Sequence, residues 1–110
     1  MYPVDKINTG NCSVEELENL LDKNNPIILY HVMTAIGNYG VHNDKIMKKL
    51  YELSFKRNTE DKLLGYYKIG DLAILTLQKI GENIEDISTY QTLDDFDRKM
   101  LLQLATEIGW

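Results

Sequence analysis

The sequence is poor in the residues that carry most enzyme chemistry, and each shortage excludes something. It has one cysteine and two histidines in 110 residues. A lone Cys12 has no intramolecular disulfide partner, so the fold does not depend on an oxidising compartment; in its polar surroundings it reads as a small filler residue, not a nucleophile. Neither His31 nor His42 has a carboxylate or a second histidine three or four residues on, so neither a metal site nor a histidine-driven catalytic set is expected. A glycine-rich phosphate loop is also missing, because Gly37 and Gly40 bracket a helix end and do not follow a strand. The N-terminal "MYPVDKINTGNCS" lacks the basic start and apolar run of a secretory signal. The longest nearly uncharged stretch, residues 24–43, is broken by histidines, asparagines and glycines, so no membrane span is expected and the cytoplasm is the expected compartment. No cofactor and no enzymatic activity are expected on these grounds.

What is present is an ordinary globular composition, 44% hydrophobic and 26% charged, with a length that suits one domain over residues 1–110. The net charge is −5, unevenly spread. Residues 1–30 carry −3, with Glu15, Glu16, Glu18 and Asp22 clustered. Residues 44–68 carry +3 through Lys45, Lys48, Lys49, Lys56, Arg57, Lys62 and Lys68. Residues 69–110 carry −5, and Glu82, Glu85, Asp86, Asp94, Asp95 and Asp97 are unopposed until Arg98. Phosphate binding needs a net positive field, so direct nucleic-acid binding is not expected.

Helix signals dominate. Ser13 and Glu16 have capping-box spacing, and Val14, Leu17, Leu20 and Leu21 share a face, which predicts a helix over 14–23. Asn25-Pro26 starts a second helix, running to about Asn38 and stopped at Gly40; Asn43 caps a third, with Ile46, Leu50 and Leu53 on one stripe. In "IGDLAILTLQKIGE" (69–82), Ile69, Ala73, Leu77 and Ile80 lie at helical spacing with Gly81 as the stop, and no other segment offers a strand to pair with it. That helix is apolar nearly all round, which suits burial of Ile74 and Leu75 between neighbours better than exposure in a groove. A kink or short helix is expected between Thr59 and Lys68, and residues 82–91 read as short helix or loop. Thr92 with Asp95 makes an imperfect capping box for a last helix striped by Met100, Leu101, Leu104, Ala105 and Ile108.

Three segments end alike: "ILYHVMTAIGNYG" (28–40), "IGDLAILTLQKIG" (69–81) and "DRKMLLQLATEIG" (97–109). The pattern resembles the second helix of HEAT-like repeats, whose bacterial form reads roughly V-R-x-x-A-x-x-A-L-G-x-I-G. Ala35, Ile36, Gly37, Tyr39 and Gly40 follow its end; Ile69, Ala73, Leu77, Ile80 and Gly81 match in the second copy, where Gly70 replaces the arginine and Gln78 the inner glycine. Arg98, Ile108 and Gly109 match in the third, where Leu101 and Leu104 replace small residues. The resemblance implies an all-α fold of helical hairpins, about 13–40, 43–81 and 82–109, stacked as a short α–α superhelix, with Tyr39 in a core position. DNA glycosylases built of such repeats need a cationic face, which this chain lacks.

A recognition surface remains as the expected function. Seven tyrosines and Trp110 stand against two phenylalanines, and tyrosine suits interfaces because an apolar ring carries a polar tip. Asp94, Asp95 and Asp97 are the nearest thing to a catalytic or metal-binding carboxylate group, but three acids at a helix start are expected to cap and solvate it. Acids beside tyrosines can mimic a phosphate backbone and attract a basic protein. This profile resembles bacterial immunity proteins that occlude a basic, nuclease-type toxin. Candidate contacts are Glu82, Glu85, Asp86, Tyr90, Asp94, Asp95 and Asp97, with Tyr66, Tyr67 and Asp71 as a second group; of Tyr66 and Tyr67 at least one should be exposed. The alternative is a HEAT-like scaffold or regulatory subunit whose partner meets the lysine-rich helix over 44–57.

Overall fold

Polar side chains set most helix starts in the computed structural model, which describes residues 13–23, 25–58, 60–63 and 67–110. The expectations for Cys12, Gly65 and Tyr66 lie outside the described residues. Helix α1 (Val14–Leu20) opens with the capping box: Ser13 Oγ accepts from Glu16 N at 3.2 Å and Glu16 Oε1 from Ser13 N at 3.4 Å. It stops short of the expected residue 23 because the chain tightens: Asp22 N donates to Asn19 O and Lys23 N to Leu20 O, both three residues back. Helix α2 (Pro26–Tyr39) has Pro26 in its first turn and Asn25 Oδ1 accepting from Ile27 N and Ile28 N. Asn43 Oδ1 caps α3 (Asp44–Leu53) by accepting from Ile46 N at 2.8 Å. Helix α4 (Ile69–Lys79) has no side-chain cap from Lys68; the Asp71 carboxylate reaches back instead to accept from Lys68 N at 3.0 Å.

Two expectations are corrected. Between residues 60 and 68 the described residues form no helix; Leu63 N donates to Tyr67 O at 2.8 Å and Ile69 N to Asp61 O, with Lys62 and Lys68 paired in an isolated antiparallel bridge. The last helix, α6 (Asp95–Ile108), is capped by Asp94, whose Oδ1 accepts from Asp97 N at 2.8 Å; the Thr92 hydroxyl turns back to donate to Thr89 O and takes no part in the cap. Between α4 and α6 lie a 3₁₀ turn, Ile84–Asp86, and a single helical turn, α5 (Ser88–Gln91).

The fold is all-helical, with no strand among the described residues. Helix α4 is its axis. Every residue from Ile69 to Leu77 is buried, Ile74 and Leu75 included, and α2, α3, α6 and the 3₁₀ turn all pack on it. Helix α1 packs against α2 and α3. Burying polar groups at the centre demands partners; Thr76 Oγ1 finds one in its own helix, donating to Leu72 O at 2.7 Å. Gly70, which costs helix propensity, is there for contact: a Cβ at this position would stand 2.6 Å from Ser54 O and 3.0 Å from Lys56 O. Its amide donates to Lys56 O, so the start of α4 lies directly on the backbone leaving α3.

The three Xaa-Gly endings share one geometry. Gly40, Gly81 and Gly109 all have positive φ. In each case the glycine N–H donates three residues back, and the next N–H (Val41, Glu82, Trp110) donates five back, to Ile36, Leu77 and Ala105. That pairing closes otherwise unpaired carbonyls at a helix end and needs a residue tolerant of left-handed backbone.

Candidate partner-binding surface

The acidic segment starts at the Gly81 turn and is pinned to the end of α3. Ile87 is fully buried beneath it, and Thr89 Oγ1 donates to Ser54 Oγ at 3.0 Å. The Tyr51 hydroxyl donates to Glu82 Oε2 at 3.4 Å. Burial raises the Tyr51 pKa above its ordinary value, and the negative charges of Glu82 and Asp86 add to the shift. Asn83 Oδ1 accepts from Glu85 N and so caps the 3₁₀ turn, while Gln91 Nε2 donates to Glu85 O at 2.8 Å. With their backbone held, the side chains of Glu85 and Asp86 remain exposed.

Tyr90 is half-buried, and the Arg98 guanidinium carbon lies 4.6 Å from its ring centroid, within cation–π range. Asp94 and Asp95 are exposed. Asp97 is partly buried, its Oδ1 3.8 Å from Arg57 Nη2. The structure thus connects Glu82 and Asp86 electrostatically through Tyr51, uses Asp97 internally, and leaves Glu85, Asp86, Asp94 and Asp95 facing solvent.

Two members of the second expected group, Asp71 and Tyr67, are corrected to the interior. Asp71 is only 2% exposed. Its Oδ1 lies 2.7 Å from Arg57 Nη1, though neither atom is aligned for a hydrogen bond, so Coulomb attraction holds the pair. A carboxylate this deep needs a cation and a hydrogen-bond donor; Arg57, in the segment leaving α3, supplies the first and the Lys68 amide at the start of α4 the second. Tyr67 is buried too, and burial and then the neighbouring Glu107 raise the pKa of its hydroxyl. Tyr39, expected in the core, is 61% exposed at the end of α2, while Gly37 takes the inward place there under Trp110. The Trp110 Nε1–H donates to Asn38 Oδ1 at 2.9 Å.

Sequence reasoning missed Phe55 and Phe96. They are the only phenylalanines in the chain and are 68% and 69% exposed. A signal existed for Phe96, an apolar residue inside the acidic run "DDFDR", and for Phe55, which follows the last apolar position of α3. The lysine-rich face of α3 is partly spent at home: Lys45 pairs with Glu18 at 3.5 Å and Lys49 with Asp22. Among the described residues no group of three or more histidine, cysteine or carboxylate side chains converges to hold a metal ion, and no helix is long and apolar enough to cross a membrane.

These observations define a class no finer than an all-helical fold with exposed carboxylates after its central helix. No family model, curated protein or solved structure matches this chain.

Proposed function

We propose that the chain is a protein-binding module of HEAT-like hairpins whose acidic face occludes a basic partner, most specifically an immunity protein for a nuclease-type toxin. One observation supports this reading above others. Asp71 and Asp97 are consumed by Arg57, whereas Glu85, Asp86, Asp94 and Asp95 stay exposed on a backbone fixed by Asn83, Gln91 and Ser54. Fixed like charges repel one another, and an oppositely charged partner relieves that repulsion and is steered in by it. The scaffold alternative places the partner on the lysine-rich helix, and the Glu18 and Asp22 pairs already occupy Lys45 and Lys49 there.

The test is expression of the adjacent upstream reading frame with and without this chain. Toxicity of the neighbour alone, rescued by this chain and lost again with Glu85→Lys, Asp86→Lys and Asp95→Lys combined, supports the reading. Asp94 is left intact in that variant because it caps α6. A harmless neighbour, or rescue unchanged by charge reversal, sinks it.

A further inference from the structure

Burial is shared unevenly among the long helices. Helix α4 buries nine of its 11 residues and α2 six of its 14, whereas α6 buries only Leu101 and Leu104 of its 14. Elements with few buried side chains open at lower free energy than the core they rest on, so α6 is the long helix that the core holds least. Its two ends are fastened differently. At the start, Leu93 is buried just before the helix, Asp97 Oδ1 lies 3.8 Å from Arg57 Nη2, and Arg98 stands over the Tyr90 ring while its Nη2 donates to Gln91 O at 3.5 Å. At the far end the tie to α2 is Trp110. Its ring lies against Gly37, where a Cβ would collide with it, and its Nε1 donates to Asn38 Oδ1 at 2.9 Å. The Trp110 amide donates to Ala105 O, which fixes the indole to the end of the helix that carries it. Asn38 is exposed and Trp110 half-buried, so water competes for that hydrogen bond. Glu107, beside the Tyr67 hydroxyl, is exposed as well.

We propose that α6 is a lid on α4 that opens as a unit about residues 92–94, and that Trp110 is the latch that holds it shut. Residues 92–94 are the non-helical link between α5 and α6. Groups beside a hinge move little, so the ties of Asp97 and Arg98 survive a small rotation. Trp110 sits at the end of a lever of 14 residues, about 21 Å long at 1.5 Å per residue, and the same rotation carries it off α2. Opening uncovers Leu101, Leu104 and the side of α4 they rest on, so the closed form dominates. The indole meets Gly37 and Asn38 only when the lid is closed, and a contact made in one state alone is what sets the balance between the two. The lid is independent of the acidic-face reading, because none of its fastenings uses Glu85, Asp86 or Asp95.

Native-state hydrogen exchange on the full chain, followed amide by amide through low denaturant, tests both parts. In wild type the amides of residues 101–105 should exchange through an opening of lower free energy and weaker denaturant dependence than those of residues 32–36 and 72–77. Trp110→Ala should speed exchange in α6 at least about tenfold, with the denaturant dependence of that opening unchanged, because the same surface is exposed. Trp110→Phe keeps a ring against Gly37 and loses the N–H donor, so it should speed α6 exchange by less. Exchange of α6 amides only with global unfolding, at the free energy and denaturant dependence of α2 and α4, overturns the lid. A separate α6 opening that neither substitution accelerates overturns the latch. If Trp110→Ala does not fold, wild type and Trp110→Phe decide both points.

Discussion

Arg57 faces two carboxylates from two different helices. It sits between Asp71, buried at the start of α4, and Asp97 in the first turn of α6, so one guanidinium joins the core helix to the last helix. Replacing it with methionine keeps most of its apolar stem but strands the Asp71 carboxylate in the core. Breaking a buried pair from one side typically costs about 3–5 kcal/mol, whereas replacing both partners with apolar residues is often close to neutral. Arg57→Met should therefore lower the unfolding free energy in urea by about that amount, and adding Asp71→Leu should recover a large part of it. Equal losses in the single and double variants would mean that the pair is not the source. Tyr51 gives a second test at this scale. Its pKa in the folded protein is raised above 10.0, so it holds its proton more tightly folded than unfolded. Its contribution to stability is complete below that pH and is lost as the pH climbs through the raised value. Relative to Tyr51→Phe, wild type should hold a constant stability difference up to about pH 10 and then lose ground; parallel curves through the alkaline range would contradict the shift.

At the scale of elements, two glycines are set by contact, not by backbone angle. Gly→Ala inside an exposed helix usually gains up to about 1 kcal/mol. At Gly70 the new methyl meets the Ser54 carbonyl at 2.6 Å, which is backbone and yields only by pushing α4 away from α3. Gly70→Ala should therefore destabilise, by about 1–3 kcal/mol as for an overpacked core, and thermal melts should show it. At Gly37 the methyl meets the Trp110 ring at 2.4 Å, a side chain near the chain end. Gly37→Ala should displace that ring, seen as a red shift in the fluorescence of the only tryptophan, with a smaller loss of stability. The same contrast explains how much of the fold the sequence disclosed. Caps at Ser13, Asn25 and Asn43 and stops at Gly40 and Gly81 are decided within a few residues, so their spacing reveals them. The central place of α4 was visible in its lack of a polar face. The burial of Asp71 and Tyr67 and the exposure of Tyr39 were not: Asp71 depends on Arg57, a partner set by the fold, and whether a tyrosine is covered is decided by tertiary packing that spacing along the chain does not carry. Phe55 and Phe96 were passed over for the opposite reason. An apolar residue near a helix stripe reads as core until packing shows that no neighbour covers it.

For the whole molecule, the proposed acidic surface should act mainly on one step of binding. Exposed carboxylates work at a distance, over roughly 10 Å at 0.1 M salt, and therefore mainly accelerate encounter. Stopped-flow measurement with the neighbour-encoded protein can isolate that step. Glu85→Lys/Asp86→Lys/Asp95→Lys should slow association at low ionic strength by about tenfold or more and flatten its salt dependence, with dissociation changed far less. Acceleration of dissociation by the charge variant would mean that these carboxylates are buried against the partner and not at the rim, and would put the centre of the interface at the acidic turn of Glu85 and Asp86.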